Sequence, residues 1–113
     1  MTGGPFNTIV SIMRDDLAFD PYLTDVLMRD LVGHDRRPSA FLVYLWLWRA
    51  SRGDGRRRAG ASLQMIATRT GLSKSAVQAA VRHLVRRRLI TMSRSGPTTA
   101  PIYQLHAPWR GDA

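Results

Sequence analysis

Between Ser73 and Arg88 the chain sets out Ser73, Lys74, Ser75, Gln78, Ala79, Arg82, Arg86, Arg87 and Arg88. These groups can bind anions and read hydrogen-bonding edges, but none is arranged to break a bond. Wound as a helix at about 100° per residue, Ser75, Gln78, Ala79, Arg82 and Arg86 share one face, with His83 flanking. Val77, Ala80, Val81, Leu84 and Val85 take the opposite side. A solvated charged face would account for the arginines alone. A surface helix with no acid on its free face fits a polyanion contact better.

The chemistry of that face is specific. Arginine meets guanine O6 and N7 with two parallel donors, and glutamine pairs with adenine N6 and N7. Ala79 permits close approach and can touch a thymine methyl. Ser75, Gln78, Ala79 and Arg82 are therefore the base-contact candidates. Ser73, Lys74, Arg69, Arg86, Arg87, Arg88, Arg94 and the run Arg56, Arg57, Arg58 are the phosphate-contact candidates.

Other chemistries find little support. The chain has no cysteine, which removes thiolate metal sites and thiol nucleophiles. His34, His83 and His106 are not spaced as a ligand set, so no metal site is expected. Asp15 and Asp16 read as a charged pair on a helix surface rather than an acid–base dyad. Gly53-Asp54-Gly55 runs into arginines instead of a helix start, unlike a phosphate loop. No nucleophile–base pair is evident, so the expectation is a binding protein with no cofactor and no catalysis. The residues do not reveal a small-molecule effector, and Trp46 and Trp48 fit core packing better than a ligand pocket.

The net charge of +9 is unevenly placed. Residues 1–54 carry six arginines against seven aspartates, a balance of −1. Residues 55–113 carry ten arginines and Lys74 against Asp112, a balance of +10. Compositional bias explains sixteen arginines to one lysine, but not why the acids all but stop at Asp54. A polyanion-binding half joined to a structural or assembly half is the reading. The longest apolar run, Ala40 to Leu47 with Trp48, falls well short of the roughly 20 residues that span a bilayer. The start, Met-Thr-Gly-Gly-Pro-Phe, lacks the pattern of a signal peptide. A cytoplasmic protein with no membrane partner is expected.

The elements that must position these groups are legible as a single domain over 1–113. Residues 1–19 read as a lead-in, loose over 1–8, and 20–53 as a helical platform. Asp20-Pro21 opens a helix whose stripe is Leu23, Val26, Leu27 and Leu31, with Gly33 placed to end it. Pro38 or Ser39 starts the next helix, apolar on almost every side, which runs to about Arg52 and stops at Gly53. Any face it leaves uncovered, with its two tryptophans, is the candidate homodimer contact. Residues 53–60 read as a flexible basic loop. Ser62 caps a helix over 63–69, Thr70-Gly71-Leu72 turns, and Ser73 caps a second helix reaching about Arg87. Leu89 to Arg94 is rich in strand formers, Ser95-Gly96-Pro97 marks a turn, and Ile102–Leu105 returns as a strand with Pro101 at its start or edge. The tail 106–113 reads as frayed from Pro108.

Ala67, Gly71 and Val77 have the spacing of two helices joined by a tight turn. The small residue sits at the crossing, glycine in the turn, and an apolar plug returns the second helix to the first. Residues 62–105 resemble the winged helix-turn-helix domain of bacterial transcriptional regulators and of some plasmid and phage replication proteins. Ile66-Ala67-Thr68-Arg69-Thr70-Gly71-Leu72-Ser73, Val77, Ala80-Val81-Arg82-His83-Leu84, Leu89-Ile90 and Tyr103-Gln104-Leu105 carry the likeness. It implies a mainly α fold with a small β wing, preceded by an N-terminal helix. It also implies double-stranded DNA as partner, with the second helix in the major groove. Ser73, Lys74, Ser75, Gln78, Ala79 and Arg82 would then lie at the contact, and Arg94 near the wing. The alternatives are a plasmid or phage replication or partition factor, and a winged-helix module that binds protein or RNA. Residues 37–45 fit the long first helix of such domains. One departure stands out: Arg88 occupies the usual glycine position between the recognition helix and the first wing strand, which puts the strand entry in question.

Overall fold

The computed structural model describes residues 20–110. The lead-in over 1–19, the Asp15–Asp16 pair and residues 111–113 lie outside them. Asp20 opens the platform as expected, its carboxylate accepting from the Tyr22 N–H at 3.0 Å. The chain then winds more widely than an α-helix, in two π-helical segments, Leu23–Leu27 and Arg29–His34. The N–H of Met28 reaches back five residues to Leu23, and that of Asp35 to Asp30 at 2.9 Å. Leu23, Leu27 and Leu31 are buried while Val26 is only half-buried, so the stripe is narrower than predicted. Gly33 does not end the segment. The left-handed residue that turns the chain is Arg36 (φ 57°), and the Arg37 N–H closes the turn on the Leu31 carbonyl at 2.8 Å.

Helix α1 spans Pro38–Ala50, with proline in its first turn where the missing N–H is no loss. It stops short of Arg52 because Ser51 turns its hydroxyl onto the Trp48 carbonyl at 3.1 Å and Gly53 takes φ 83°. Ala40, Phe41, Val43, Tyr44, Leu47 and Trp48 fill the core. Trp48 is only 1% exposed, which removes it from any dimer surface and leaves Trp46, half-buried, on the outer side.

The helix pair follows the expected logic closely. In α2, Leu63–Thr70, the Ser62 hydroxyl accepts from the Met65 N–H at 3.0 Å. Gly71 ends it at φ 82°, a conformation that a Cβ disfavours. In α3, Lys74–Arg86, the Ser73 hydroxyl accepts from the Ala76 N–H at 3.1 Å. Ala67 and Val77 are both buried where α2 and α3 meet.

The basic loop contains a strand that was not foreseen, β1, Arg58–Gly60. With β2, Ile90–Ser93, and β3, Ile102–Leu105, it forms an antiparallel sheet in the order β1-β3-β2. Three residues containing one buried side chain, Ala59, give too short a pattern for periodicity to detect. Arg88 resolves the question of strand entry: it adopts φ 59° and so keeps the left-handed turn. Leu89 then bonds back to Leu84 at 3.0 Å, and His106 to Leu89 at 2.9 Å. The tail is ordered to Arg110 rather than frayed. Pro108–Arg110 makes a 3-10 turn, and Trp109 stacks on Tyr22 at 4.3 Å and donates to Asp20 at 2.9 Å. No described helix is long and apolar enough to cross a membrane.

Candidate nucleic-acid interface

Two serine caps and the Gly71 turn set the start of α3, and the burial of Val77, Ala80, Val81 and Leu84 sets its rotation. Ser73, Lys74, Ser75, Gln78, Arg82 and Arg86 are then exposed, and Ala79 is half-buried beside them. Val85, assigned to the core side from sequence, is 43% exposed and belongs to the edge of the outer face. Lys74–Arg86 contains no acid, so the outer face is cationic throughout. Ser73 also has a structural duty, because its hydroxyl carries the cap. Arg69, at the end of α2, is exposed as well.

The wing is the connection between β2 and β3. The Thr99 hydroxyl accepts from the Gly96 N–H at 3.0 Å and donates to the Gly96 carbonyl at 2.9 Å, which pins the turn. Arg94 leaves β2 at the base of this turn and is exposed.

Arg87 is placed differently. Its guanidinium grips Asp35 and reaches Asp30 at 2.7 Å, tying the end of α3 to the π-helical platform. Asp35 also takes His83 Nε2 at 2.8 Å and His34 Nδ1 at 2.9 Å. Burial works to raise the Asp35 pKa, but the bonds from His34 and His83 and the Arg87 charge outweigh it and hold the carboxyl at about 2. Arg87, expected from sequence to face phosphate, has two aspartates engaging its donors. Asp30, His34 and Asp35 could converge on a cation, their ligand atoms lying within 4.8 Å of one another. Arg87 already supplies positive charge to both carboxylates, and the cluster reads as an ion-pair network.

The Arg56–Arg58 run is divided too. Arg57, expected from sequence to face phosphate, lies over the Trp48 ring at 3.8 Å in a cation–π contact. Arg56 and Arg58 are exposed, and both donate backbone N–H groups to Asp54, at 3.1 and 2.9 Å. Those bonds, that of Arg58 first, hold the Asp54 carboxyl below its usual pKa. Arg58 pairs with Gln104, two residues further from the wing turn than Ile102, or about 7 Å along β3. The run thus flanks the end of the sheet away from the wing.

Sequence reasoning missed Asp30 and Asp35 as the partners of His83 and Arg87, since 48 to 57 residues separate them from their contacts. The available signal was the excess of aspartate in the first half of a basic chain.

Residues 37–90 match the family model described as a helix-turn-helix domain. No curated protein and no solved structure gives a match. The matched stretch runs from the residue before α1 to the first residue of β2, and so holds the helix pair, its turn and the strand entry at Arg88. With capped helices, a left-handed glycine between them and a three-stranded sheet beside them, this chain carries a helix-turn-helix domain of the winged form, the kind associated with DNA binding.

Proposed function

We propose that this protein binds duplex DNA sequence-specifically and acts as a transcriptional regulator without catalysis of its own. Helix α3 enters the major groove, and the β2–β3 wing follows the backbone. The observation that carries this reading is the outer face of α3, where exposed Ser75, Gln78 and Arg82 stand together with no acid among them. Ser75, Gln78, Ala79 and Arg82 address bases. Lys74, Arg69, Arg86 and Arg94 address phosphates, with Arg56, Arg58 and Arg88 as outlying cations. A homodimer would present two such helices about 34 Å apart, matching half-sites one turn of the duplex apart.

Selection of bound duplexes from a random pool tests this directly. An enriched motif is expected, and a palindromic one would report the dimer. Affinity should fall steeply with salt as counterions are released. Duplex binding that is flat in salt, or a pool that never converges, would replace this reading with a protein- or RNA-binding module.

A further inference from the structure

Among the described residues, the Tyr103 hydroxyl is the buried side-chain polar atom that has no hydrogen-bond partner. Tyr44 shows the ordinary arrangement: equally buried, it donates to the His106 carbonyl at 2.8 Å. A buried hydroxyl without a partner forfeits its bonds to water and gains nothing in return. Phenylalanine would fill the same space without that penalty.

The surroundings of this hydroxyl suit an anion. Tyr103 lies opposite Met92 on β2 and Ala59 on β1, on the sheet face that Ile90 and Leu105 bury in the core. Alternation carried past Met92 brings Arg94 to the same face at the wing end. The two groups sense each other: burial pushes the Tyr103 pKa up, and the positive charge of Arg94 pulls it back. Arg94 is exposed, and the sequence from Gly55 to Gly111 offers no carboxylate to claim it. Met92, directly across from the tyrosine, is 50% exposed, and its unbranched side chain has three bonds about which to turn. A hydroxyl donor and a guanidinium both bond phosphate oxygens, and such contacts carry no base information.

We propose that Tyr103 and Arg94 together hold one backbone phosphate of the duplex, the hydroxyl donating to one phosphate oxygen and the guanidinium to another, once the Met92 side chain turns aside. The hydroxyl is then satisfied only in the complex, which is why the fold leaves it without a partner. Tyr103 adds affinity and leaves base preference to α3. This inference rests on the reading of the wing as a backbone contact, and that reading stands without Tyr103.

The test compares the full-length wild type, Tyr103→Phe, Arg94→Ala and the double variant on the selected duplex and on an unrelated one, alongside urea unfolding. Tyr103→Phe should bind both duplexes about tenfold more weakly, the order expected for a hydrogen bond to a charged group. Preference between the duplexes should stay unchanged, and the urea midpoint should stay equal or rise. Added to Arg94→Ala, the same change should cost less than about threefold, because one phosphate serves both side chains. Wild-type affinity in Tyr103→Phe, a changed preference, or a full tenfold loss on top of Arg94→Ala would overturn the proposal and leave duplex binding in place. So would a lower urea midpoint, since the hydroxyl would then have a partner inside the fold. A wild type that binds neither duplex would overturn the reading of the wing and this inference with it.

Discussion

Arg86, Arg87 and Arg88 are consecutive and chemically identical, yet the fold gives each a different task. Arg86 stands on the exposed face of α3. Arg87 turns inward to Asp30 and Asp35. Arg88 holds a left-handed backbone turn at φ 59°. The difference comes from what lies opposite each residue, because a guanidinium goes where a carboxylate can meet it. A run of like charges is therefore not one functional unit.

The largest expected effect separates Arg87 from its neighbour. Arg87→Ala leaves Asp35, only 8% exposed at its side chain, without its cation. Unfolding in urea should show a loss of about 3 kcal/mol, the order found when one partner of a buried pair is removed. Arg86→Ala should change stability by less than about 0.5 kcal/mol. Equal losses in the two variants would break the comparison.

Acid should expose the same tie. The Asp35 carboxyl sits at about 2 in the fold against 3.8 as its ordinary value. A depressed carboxylate lends stability that is fully present above the ordinary value and is lost as pH falls through the folded one. The loss should therefore run from about pH 4 down to pH 2 and amount to about 2 kcal/mol. Asp35→Asn should flatten that part of the pH profile and leave the neutral-pH binding face intact.

On DNA the contrast moves to the outer face. Arg82→Ala should relax base preference at one position at a cost of about 1–3 kcal/mol. Arg86→Ala should weaken all sequences alike and lower the salt slope. Competition titrations over single-base variants of the selected site distinguish the two. An Arg86→Ala variant with altered preference would move the reading head one turn along α3.

The smallest effect concerns Arg88. A side chain in the left-handed region costs about 1–2 kcal/mol, partly offset by the extra unfolded-state entropy of glycine. Arg88→Gly should raise stability by about 0.5–1 kcal/mol by thermal unfolding. A loss instead would mean that the Arg88 side chain contributes packing that outweighs its backbone strain.

Much of the fold is legible without coordinates, wherever the determinants are local. Ser62 and Ser73 act within three residues of themselves, and Gly71 within its own dihedral angles. The alternation of Ile102 to Leu105 needs only a strand. What sequence reading lacked was long-range. Strand β1 exists because β3 pairs with it, Trp109 is ordered because Tyr22 and Asp20 receive it, and Trp48 is buried beneath Arg57. The π winding of the platform is a further case. Its leucines recur every four residues, a spacing an α-helix also tolerates, and neither pattern nor composition distinguishes the two. The Gly33 stop failed because the turn fell at Arg36, where the Arg37 bond to Leu31 and the network on Asp35 hold the chain.

The sequence by itself determined the helix-turn-helix, the serine caps, the basic second half and the acid-free outer face of α3. Each depends on contacts within one element or across one turn, which spacing encodes. Only the tertiary structure decided that, of the arginines at the end of that helix, Arg87 is tied to the platform while Arg86 faces outward. That depends on Asp30 and Asp35, far away in the chain and adjacent in space, and on an electrostatic attraction with no regard for sequence distance.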